Sequence, residues 1–319
     1  MSGAAPARRI DVHFHIIPPF YRDAAYAAGS GPALGRYPDF SPELALDLMD
    51  RSGIAVALTS VSQPGVQFAE PEAARTLARR CNEFAAELAA RRPMRFGAFA
   101  LVPMHDIDHA LAEIAHAYDV LHFDGVCLFA SYDTKFLGDP RFDPVLAALD
   151  ARDAVVFIHP TYHPSSKAID LPWPGFMMEF LFDTTRAAVN LLFSGALERY
   201  PRIRFILAHA GGLLPYFAWR LSVSPMVDQR LPSWPREKVL AGLRCYWYDT
   251  ALSPGPQTMG SLGAVAAPER ILFGSDWPYA NARIVGAAIA EHESASLHTP
   301  AERAAIDRGN ALALFPQYA

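Results

Sequence analysis

Four histidines and one aspartate stand where this sequence could build a metal site. His13 and His15 end one apolar, β-rich run, and three further runs end at His159, at His209 and at Asp276. Within a strand, residues two apart point to the same side, so both histidines of the first run can face the same way. Imidazole nitrogens and carboxylate oxygens are common ligands of Zn²⁺ and similar divalent ions. If these side chains converge, they predict a divalent metal site.

The runs that carry these residues belong to a series of eight strand candidates. Several of them, for example Val155–Ile158, are continuously apolar, which is typical of strands buried on both faces in a parallel sheet. The eight runs are Ile10–His15, Ile54–Val61, Phe96–Val102, Gly125–Phe129, Ala154–His159, Ile203–His209, Cys245–Thr250 and Ile271–Asp276.

Segments with helical spacing alternate with the strand candidates. One of them, Pro42–Ser52, follows Ser41, a suitable N-cap, and has its proline at the first helical position. The others are Glu72–Arg91, Ile107–Tyr118, Asp143–Arg152, Thr184–Arg199, Pro235–Gly242 and Ala301–Phe315. Eight strands alternating with helices predict an α/β fold, a single (β/α)8 TIM barrel domain over residues 1–319. The active site of such a barrel lies at the C-terminal ends of its strands, where the candidate residues stand.

Length and composition exclude several function classes. The chain has 319 residues, 51% of them hydrophobic, and a formal net charge of −5 from 28 basic and 33 acidic side chains. Because basic residues do not outnumber acidic ones and form no run, nucleic acid is not expected as a partner. No stretch of about 18 apolar residues occurs, so no membrane span is expected.

The cysteines and the amino terminus bear on location. Cys81, Cys127 and Cys245 are far apart, odd in number and outside any CxxC pattern. We therefore expect no disulfides, and we expect a reducing, cytoplasmic location. The first residues lack the apolar segment of a signal peptide. Residues 1–8 are expected to form a flexible N-terminal tail.

Four motifs carry a resemblance to a known family. They are Asp11-Val12-His13-Phe14-His15, Ile158-His159-Pro160, Leu207-Ala208-His209-Ala210-Gly211-Gly212 and Phe273-Gly274-Ser275-Asp276-Trp277-Pro278. Together they resemble the amidohydrolase superfamily, and more narrowly its branch typified by aminocarboxymuconate semialdehyde decarboxylase. The resemblance covers about residues 10–315. Within this branch, the first strand and the segment Ile17–Tyr21 look most like 6-methylsalicylate decarboxylases and their bacterial relatives.

The resemblance implies a role for each of the five candidate residues. His13, His15, His159 and Asp276 match the metal ligands of the family. His209 matches the histidine beside the metal that handles a proton on water or substrate, and Asp276 is a second candidate for the proton donor. Binuclear relatives carry a lysine on the fourth strand, and the corresponding run has none. One divalent ion is therefore implied, with Zn²⁺ ahead of Mn²⁺.

The resemblance also implies residues that bind the substrate. Trp173 lies fourteen residues after His159, as does a tryptophan that lines the substrate pocket in the family. Arg220 matches an arginine that one subunit of the semialdehyde decarboxylases extends to the substrate carboxylate of its neighbour. Arg36 matches a second arginine that binds a carboxylate. A homodimer is implied by the shared arginine.

A few further positions are candidates because of where they stand. Phe176, Phe180, Phe182 and Tyr279 are placed to form pocket walls. Asp249 closes the seventh strand candidate and points toward the same face of the barrel. Because metal-bound histidines usually need an oriented hydrogen-bond acceptor, Asp249 is a candidate for that part.

The reaction favoured by the resemblance is metal-dependent, non-oxidative decarboxylation of a small aromatic acid with a hydroxyl group ortho to its carboxylate. The alternative is metal-dependent hydrolysis of a lactone, an amide or a C–C bond in aromatic-compound catabolism, since the same residues could activate water. A third interpretation, a non-catalytic metal-binding protein, is disfavoured by the complete ligand set with its proton-handling histidine. The missing lysine and the methylsalicylate-like motifs favour decarboxylation.

Overall fold

Eight parallel strands pair side by side in chain order and curve into a barrel. The structure, a computed structural model, describes residues 8–169 and 171–319. The strands are β1 Arg9–His15, β2 Ile54–Ser60, β3 Phe96–Leu101, β4 Gly125–Phe129, β5 Val155–His159, β6 Arg204–Leu207, β7 Trp247–Asp249 and β8 Ile271–Leu272. The predicted (β/α)8 TIM barrel is confirmed.

Within the described residues, ten α-helices lie between successive strands, and three more follow the last strand. They are α1 Pro19–Ala27, α2 Pro42–Arg51, α3 Pro71–Arg91, α4 Ile107–Asp119, α5 Asp143–Asp150, α6 Glu179–Phe193, α7 Ala196–Arg199, α8 Leu214–Val223, α9 Arg236–Arg244, α10 Pro256–Gly263, α11 Ala282–Ser294, α12 Pro300–Ala304 and α13 Asn310–Leu314. The predicted N-cap of α2 is confirmed, because the Ser41 side chain accepts a hydrogen bond from the Leu44 N–H. The expected helix Thr184–Arg199 is instead two helices, since Gly195 between them has a φ of 75°.

The barrel is closed by the chain that follows β8. The expected strand Ile271–Asp276 is regular over its first two residues only. Beyond them, the Val12 N–H donates to the Phe273 carbonyl at 3.0 Å, and the Asp276 N–H donates to the His13 carbonyl at 2.8 Å. These bonds join the last strand to the first. They also bring Asp276 beside His13, although 263 positions separate the two residues in the sequence.

The opposite end of the barrel is filled by the carboxy terminus. Phe315 and Tyr318 join a buried apolar cluster inside the barrel, where the Phe315 and Phe99 rings lie 6.0 Å apart. The Tyr318 hydroxyl donates to the Asp124 carboxylate, with O–O distances of 3.0 and 3.1 Å, and the same carboxylate accepts the Ala98 N–H at 2.7 Å. The N-terminal ends of the strands are thus closed by side chains.

A buried arginine fixes the beginning of β1, the strand that carries two of the candidate ligands. The Arg9 guanidinium pairs with Asp307 at 3.1 Å and with Glu293 at 2.6 Å, and it donates to the Ser52 carbonyl at 2.8 Å. Burying an unpaired guanidinium would be costly, and these partners offset that cost. They tie β1 to the segments that follow β8 and precede β2.

The expected amino-terminal tail lies outside the described residues except for its last member. That residue, Arg8, donates its backbone N–H to the Gly53 carbonyl at 2.9 Å. No helix in the described part of the chain is long and apolar enough to cross a membrane.

Candidate metal centre and active site

The cluster predicted at the C-terminal ends of the strands is present. His13 and His15 belong to β1, His159 is the last residue of β5, and Asp276 follows β8. All four residues are buried, and one potential ligand atom from each lies within 4.8 Å of the others. The Nε2 atoms of His13 and His15 are 3.1 Å apart, and Asp276 Oδ1 lies 3.4 and 3.2 Å from them. The arrangement converges on one point.

The other ring nitrogen of each histidine faces an oxygen. His13 Nδ1 lies 2.7 Å from Asp249 Oδ2, and His15 Nδ1 lies 3.0 Å from Ser60 Oγ. His159 Nδ1 lies 2.7 Å from the backbone carbonyl of the following residue. A proton on Nδ1 satisfies the carboxylate and the carbonyl and leaves the Nε2 lone pair directed into the cluster. This is how metal-binding histidines are usually oriented in proteins.

Charge and burial set the protonation of the cluster. Burial lowers the pKa of His15, and it lowers that of His159 well below the usual value, so both rings are neutral and can act as ligands. For His13 burial also favours the neutral ring, but the charges of Asp249 and Asp276 outweigh it and raise the pKa to about 10. Burial would raise the pKa of Asp276, yet the charge of His13 and its hydrogen bonds with histidines hold it well below the usual range.

These residues fit a divalent metal ion. Three imidazoles and one carboxylate are a donor set that suits Zn²⁺, and Mn²⁺ also accepts imidazole and carboxylate ligands. Without a cation, His13 and His15 present two buried ring nitrogens to each other at 3.1 Å and need a proton between them. A divalent ion would satisfy both nitrogens and the Asp276 carboxylate together.

Asp249 occupies the supporting position expected of it and links two parts of the site. Its Oδ2 is paired with His13, and its Oδ1 accepts the backbone N–H of His209 at 2.9 Å and of Ala251 at 3.0 Å. The side chain is fully buried. One carboxylate thereby holds the ring of a candidate ligand and the backbone of the neighbouring histidine.

Replacing Asp249 with asparagine is expected to lower metal affinity about 10- to 100-fold. An asparagine carries one acceptor oxygen, so its NH₂ group must face either His13 or the two backbone N–H groups. Competition with a chromogenic chelator measures the change. Asp124→Asn alters a carboxylate at the closed end of the barrel and is the matched control. Unchanged affinity in Asp249→Asn would contradict the supporting role.

His209 lies beside the cluster without belonging to its four-residue ligand set. Its Nε2 is 3.5 Å from Asp276 Oδ2, and its buried Nδ1 makes no hydrogen bond with the described residues. The position matches the expectation of a histidine that exchanges a proton near the metal. Its assignment as a catalytic residue, like that of Asp276, stays a prediction.

His209 and Asp276 both have left-handed backbone conformations, with φ values of 54° and 61°. Such values are uncommon outside glycine, cost about 1–3 kcal/mol each and often mark functional sites. The His209 conformation is held by the Asp249 carboxylate, which accepts its N–H. It also explains why the expected strand Ile203–His209 ends at Leu207.

An apolar cavity of about 390 Å³ opens above the cluster. His159, His209 and Asp276 line its metal end. The expected wall residues Phe176, Phe180 and Tyr279 line it as well, whereas Phe182 does not. The remaining lining residues are Ala33, Leu34, Ser62, Gln63, Met177, Leu181, Leu252, Ser253, Thr258, Ala280 and Ile284. The cavity can shield a bound aromatic molecule from water.

Sequence reasoning missed part of this lining. Ser62 and Gln63 follow β2, and Ser62 Oγ lies 3.4 Å from His159 Nε2. The position after a strand was an available signal, because every strand of a parallel barrel ends at the same face. Leu252 and Ile284 come from a loop and a helix, where no sequence pattern distinguishes a cavity wall from an exposed apolar residue.

Three expected substrate-binding residues lie outside the cavity of the single chain. Trp173 lines a separate surface groove, Arg220 is exposed on α8, and Arg36 is exposed in the segment after α1. None of them lines the cavity that contains the metal ligands, within the described residues. Their part in substrate binding stays a prediction.

The chain is similar to known proteins over nearly its whole length. The sequence profile of the amidohydrolase family matches residues 10–317. A 6-methylsalicylic acid decarboxylase of Penicillium expansum is 38% identical over 314 residues, which cover 97% of this chain and 96% of the relative.

Two solved structures share the fold at 27% sequence identity. One is a 2,6-dihydroxybenzoate decarboxylase in complex with 2,6-dihydroxybenzoate, with a TM-score of 0.80 over 99% of this chain and 100% of that one. The other is a dihydroxybenzoic acid decarboxylase of Polaromonas sp. JS666 with bound manganese and the inhibitor 2-nitroresorcinol, with a TM-score of 0.83 over 98% and 97%. The chain is a member of the amidohydrolase family.

Proposed function

We propose that this protein is a metal-dependent carboxy-lyase that removes the carboxylate of an aromatic hydroxy acid as CO₂. The observation that carries the proposal is the buried cluster of three histidines and Asp276 at the floor of an apolar cavity, with His209 beside it. The relatives described above are decarboxylases of hydroxylated benzoic acids. An ortho-hydroxybenzoate is therefore the proposed substrate class.

The metal end and the apolar walls of the cavity have different roles in substrate binding. His13, His15, His159 and Asp276 would hold the metal ion. When bound, a divalent ion supplies positive charge for the carboxylate and the ortho oxygen of the substrate and polarises the ring. The phenylalanine walls surround the ring and exclude water. Because an apolar wall disfavours a carboxylate far more than neutral CO₂, it assists release of the CO₂.

The reaction requires one proton at the ring carbon that bears the carboxylate. Either His209 donates it directly, or the ionised Asp276 carboxylate first takes a proton from His209, whose Nε2 lies 3.5 Å from Asp276 Oδ2, and passes it on; both residues line the cavity. The C–H bond forms, the bond between the ring and the carboxylate breaks, and its electron pair returns to the ring. CO₂ leaves, and the donor recovers its proton from solvent.

The hydrolytic alternative uses the same residues, with His209 or Asp276 as the general base for a water molecule. Two observations favour decarboxylation. The cavity walls are mostly apolar, and the curated and solved relatives described above are decarboxylases. Hydrolysis of a lactone, an amide or a C–C bond is the weaker interpretation.

The metal identity is proposed to be Zn²⁺, with Mn²⁺ as the alternative. Three nitrogen ligands and one oxygen ligand support zinc. The manganese bound in the decarboxylase of Polaromonas supports the alternative.

A homodimer is proposed from the surface of the chain around α8. Tyr216, Trp219, Met226 and Val227 are exposed there, and large apolar residues grouped on a surface often mark a protein interface. Arg220 lies in the same segment, so a dimer through this face would bring it to the partner subunit.

Light scattering should give twice the monomer mass. Trp219→Asp should then yield monomers, whereas Val120→Asp, an exposed site on the outside of the barrel, should not; a monomeric wild type would contradict the proposal.

A cytoplasmic location is proposed as well. It is supported by the cysteines, all three of which are free, with Cys81 and Cys127 buried and Cys245 exposed. Free thiols are typical of a reducing compartment.

The direct test incubates metal-loaded protein with a panel of ortho-hydroxybenzoates that includes 6-methylsalicylate and follows CO₂ and phenol by mass spectrometry. We expect CO₂ release that stops when a chelator removes the metal and returns when Zn²⁺ or Mn²⁺ is added. Reaction in D₂O should place one deuterium on the ring carbon that held the carboxylate. No CO₂ from protein with one equivalent of metal would overturn the proposal, and turnover of lactones would support hydrolysis instead.

A further inference from the structure

The cavity is larger than a single aromatic ring requires. Its volume is about 390 Å³. An apolar protein cavity of about 150 Å³ is enough to bind benzene. A benzoic acid held at the metal end therefore leaves space comparable to that of a second ring.

The space beyond the metal end is bordered by apolar side chains that remain exposed. Leu34, Met177, Leu252 and Ile284 all line the cavity, and their exposed fractions lie between 41% and 57%. They come from the segment after α1, from the loop before α6, from the loop after β7 and from α11. We call these four residues the apolar rim. Four separate elements thus contribute an exposed apolar side chain to one opening, and exposed apolar residues grouped in this way often mark a binding site.

Charged groups are confined to the other end of the cavity. Among the described residues that line it, none is a lysine or an arginine, and the one carboxylate is Asp276 in the metal cluster. The described residues that line the cavity offer a second anionic group on the substrate no counter-charge at the apolar rim. Burying such a group without a partner is strongly unfavourable.

We infer that the substrate is an ortho-hydroxybenzoate with a single carboxylate and a sizeable apolar substituent, a chain of several carbons or a second ring, that extends from the metal end to the apolar rim. This inference rests on the proposed function, because the metal end must bind the carboxylate. It adds a specificity role for Leu34, Met177, Leu252 and Ile284, which hold the substituent.

The test is a series of salicylates with methyl, propyl and pentyl groups at the 6-position, measured on the metal-loaded protein. Calorimetry gives Kd for each acid, and CO₂ release gives kcat/KM. Each buried methylene should improve Kd or kcat/KM about fourfold. A dicarboxylic analogue, 2-hydroxyterephthalate, should bind at least about tenfold more weakly than 6-methylsalicylate.

Substitutions in the apolar rim test whether its residues cause the preference for longer substituents. In Ile284→Asp and Leu34→Asp the preference for the pentyl over the methyl compound should fall at least about tenfold, because a charged group replaces an apolar contact. Val120→Asp, which changes an exposed apolar residue away from the cavity, should keep the wild-type preference.

The outcomes separate this inference from the proposed function. If no salicylate releases CO₂ while Kd still improves with chain length, the proposed function fails and the inference about the cavity stands. If CO₂ is released but acids with longer substituents bind with the same affinity as 6-methylsalicylate or more weakly, the inference is wrong and the proposed function stands. If the rim variants turn a dimer into monomers and leave the preference unchanged, the apolar rim is a subunit contact and the inference is also wrong.

Discussion

Replacing Asp276 with alanine is expected to abolish CO₂ release and to leave the protein without a stably bound metal. Asp276 is the one carboxylate of the four-residue cluster, and its oxygen atoms lie within 3.5 Å of ring nitrogens of His13, His15 and His209. The substitution removes a ligand, the negative charge that balances a divalent ion and one of the two candidate proton donors. Loss of an outer-shell partner alone lowers metal affinity or activity about 10- to 100-fold, so loss of this ligand should exceed that range.

Metal analysis after gel filtration and the rate of CO₂ release from 6-methylsalicylate give the two readouts. Asp124→Asn serves as the control for a lost carboxylate, since its side chain lies at the closed end of the barrel. Circular dichroism and the melting temperature show whether the Asp276→Ala variant folds. A folded variant that keeps one equivalent of metal and more than about one-tenth of the activity would contradict the ligand assignment.

Replacing His209 with alanine is expected to separate metal binding from turnover. His209 is not among the four clustered ligands, so the variant should retain about one equivalent of metal. If His209 donates the proton, or returns it to Asp276, kcat should fall about 10²- to 10⁴-fold, which is the usual contribution of a positioned acid or base. The reasons for this expectation are that His209 Nδ1 has no hydrogen-bond partner among the residues that the structure describes and that His209 Nε2 lies 3.5 Å from Asp276 Oδ2.

Steady-state measurements give kcat, and single-turnover measurements of phenol formation give the rate constant of the chemical step without a contribution from product release. His116→Gln is the matched control, because His116 belongs to the outer helix α4 and does not line the cavity. A His209→Ala variant with bound metal and wild-type kcat would remove His209 from the mechanism and leave Asp276 as the proton donor. A variant without metal would instead show that His209 supports the ligands.

The sequence allowed the barrel and the metal cluster to be predicted for the same physical reason. Strands buried on both faces are continuously apolar, so a polar residue such as His159 at the end of Val155–Ile158 is conspicuous. In a parallel barrel all such ends meet at one face, and the local order of residues therefore predicts a contact between distant ones. The contact between His13 and Asp276 follows from this rule. The residue pattern alone did not distinguish His209 from the four ligands; the resemblance to the family did.

Other features of the site depend on tertiary contacts that no local pattern encodes. The left-handed backbone at His209 is stabilised by the Asp249 carboxylate from another strand, and the pattern of the run Ile203–His209 predicted a regular strand there. The apolar rim could not be foreseen either, because residues such as Leu34 and Ile284 gain a common position only when four elements meet. Helices α1, α8, α10 and α11 were not predicted, although α11 has the strong N-cap Asn281, whose side chain accepts hydrogen bonds from two backbone N–H groups.

Because Phe315 and Tyr318 fill one end of the barrel, substrate entry and product release are restricted to the other end. With the far end closed, the acid, the phenol and CO₂ must all pass through the opening bordered by the apolar rim. CO₂ is formed at the floor of the cavity, between the metal ligands and the ring of the phenol. It must therefore leave either past the bound phenol or after the phenol has dissociated. Because the cavity has one opening in use, the order of product release depends on how closely the phenol fits that opening.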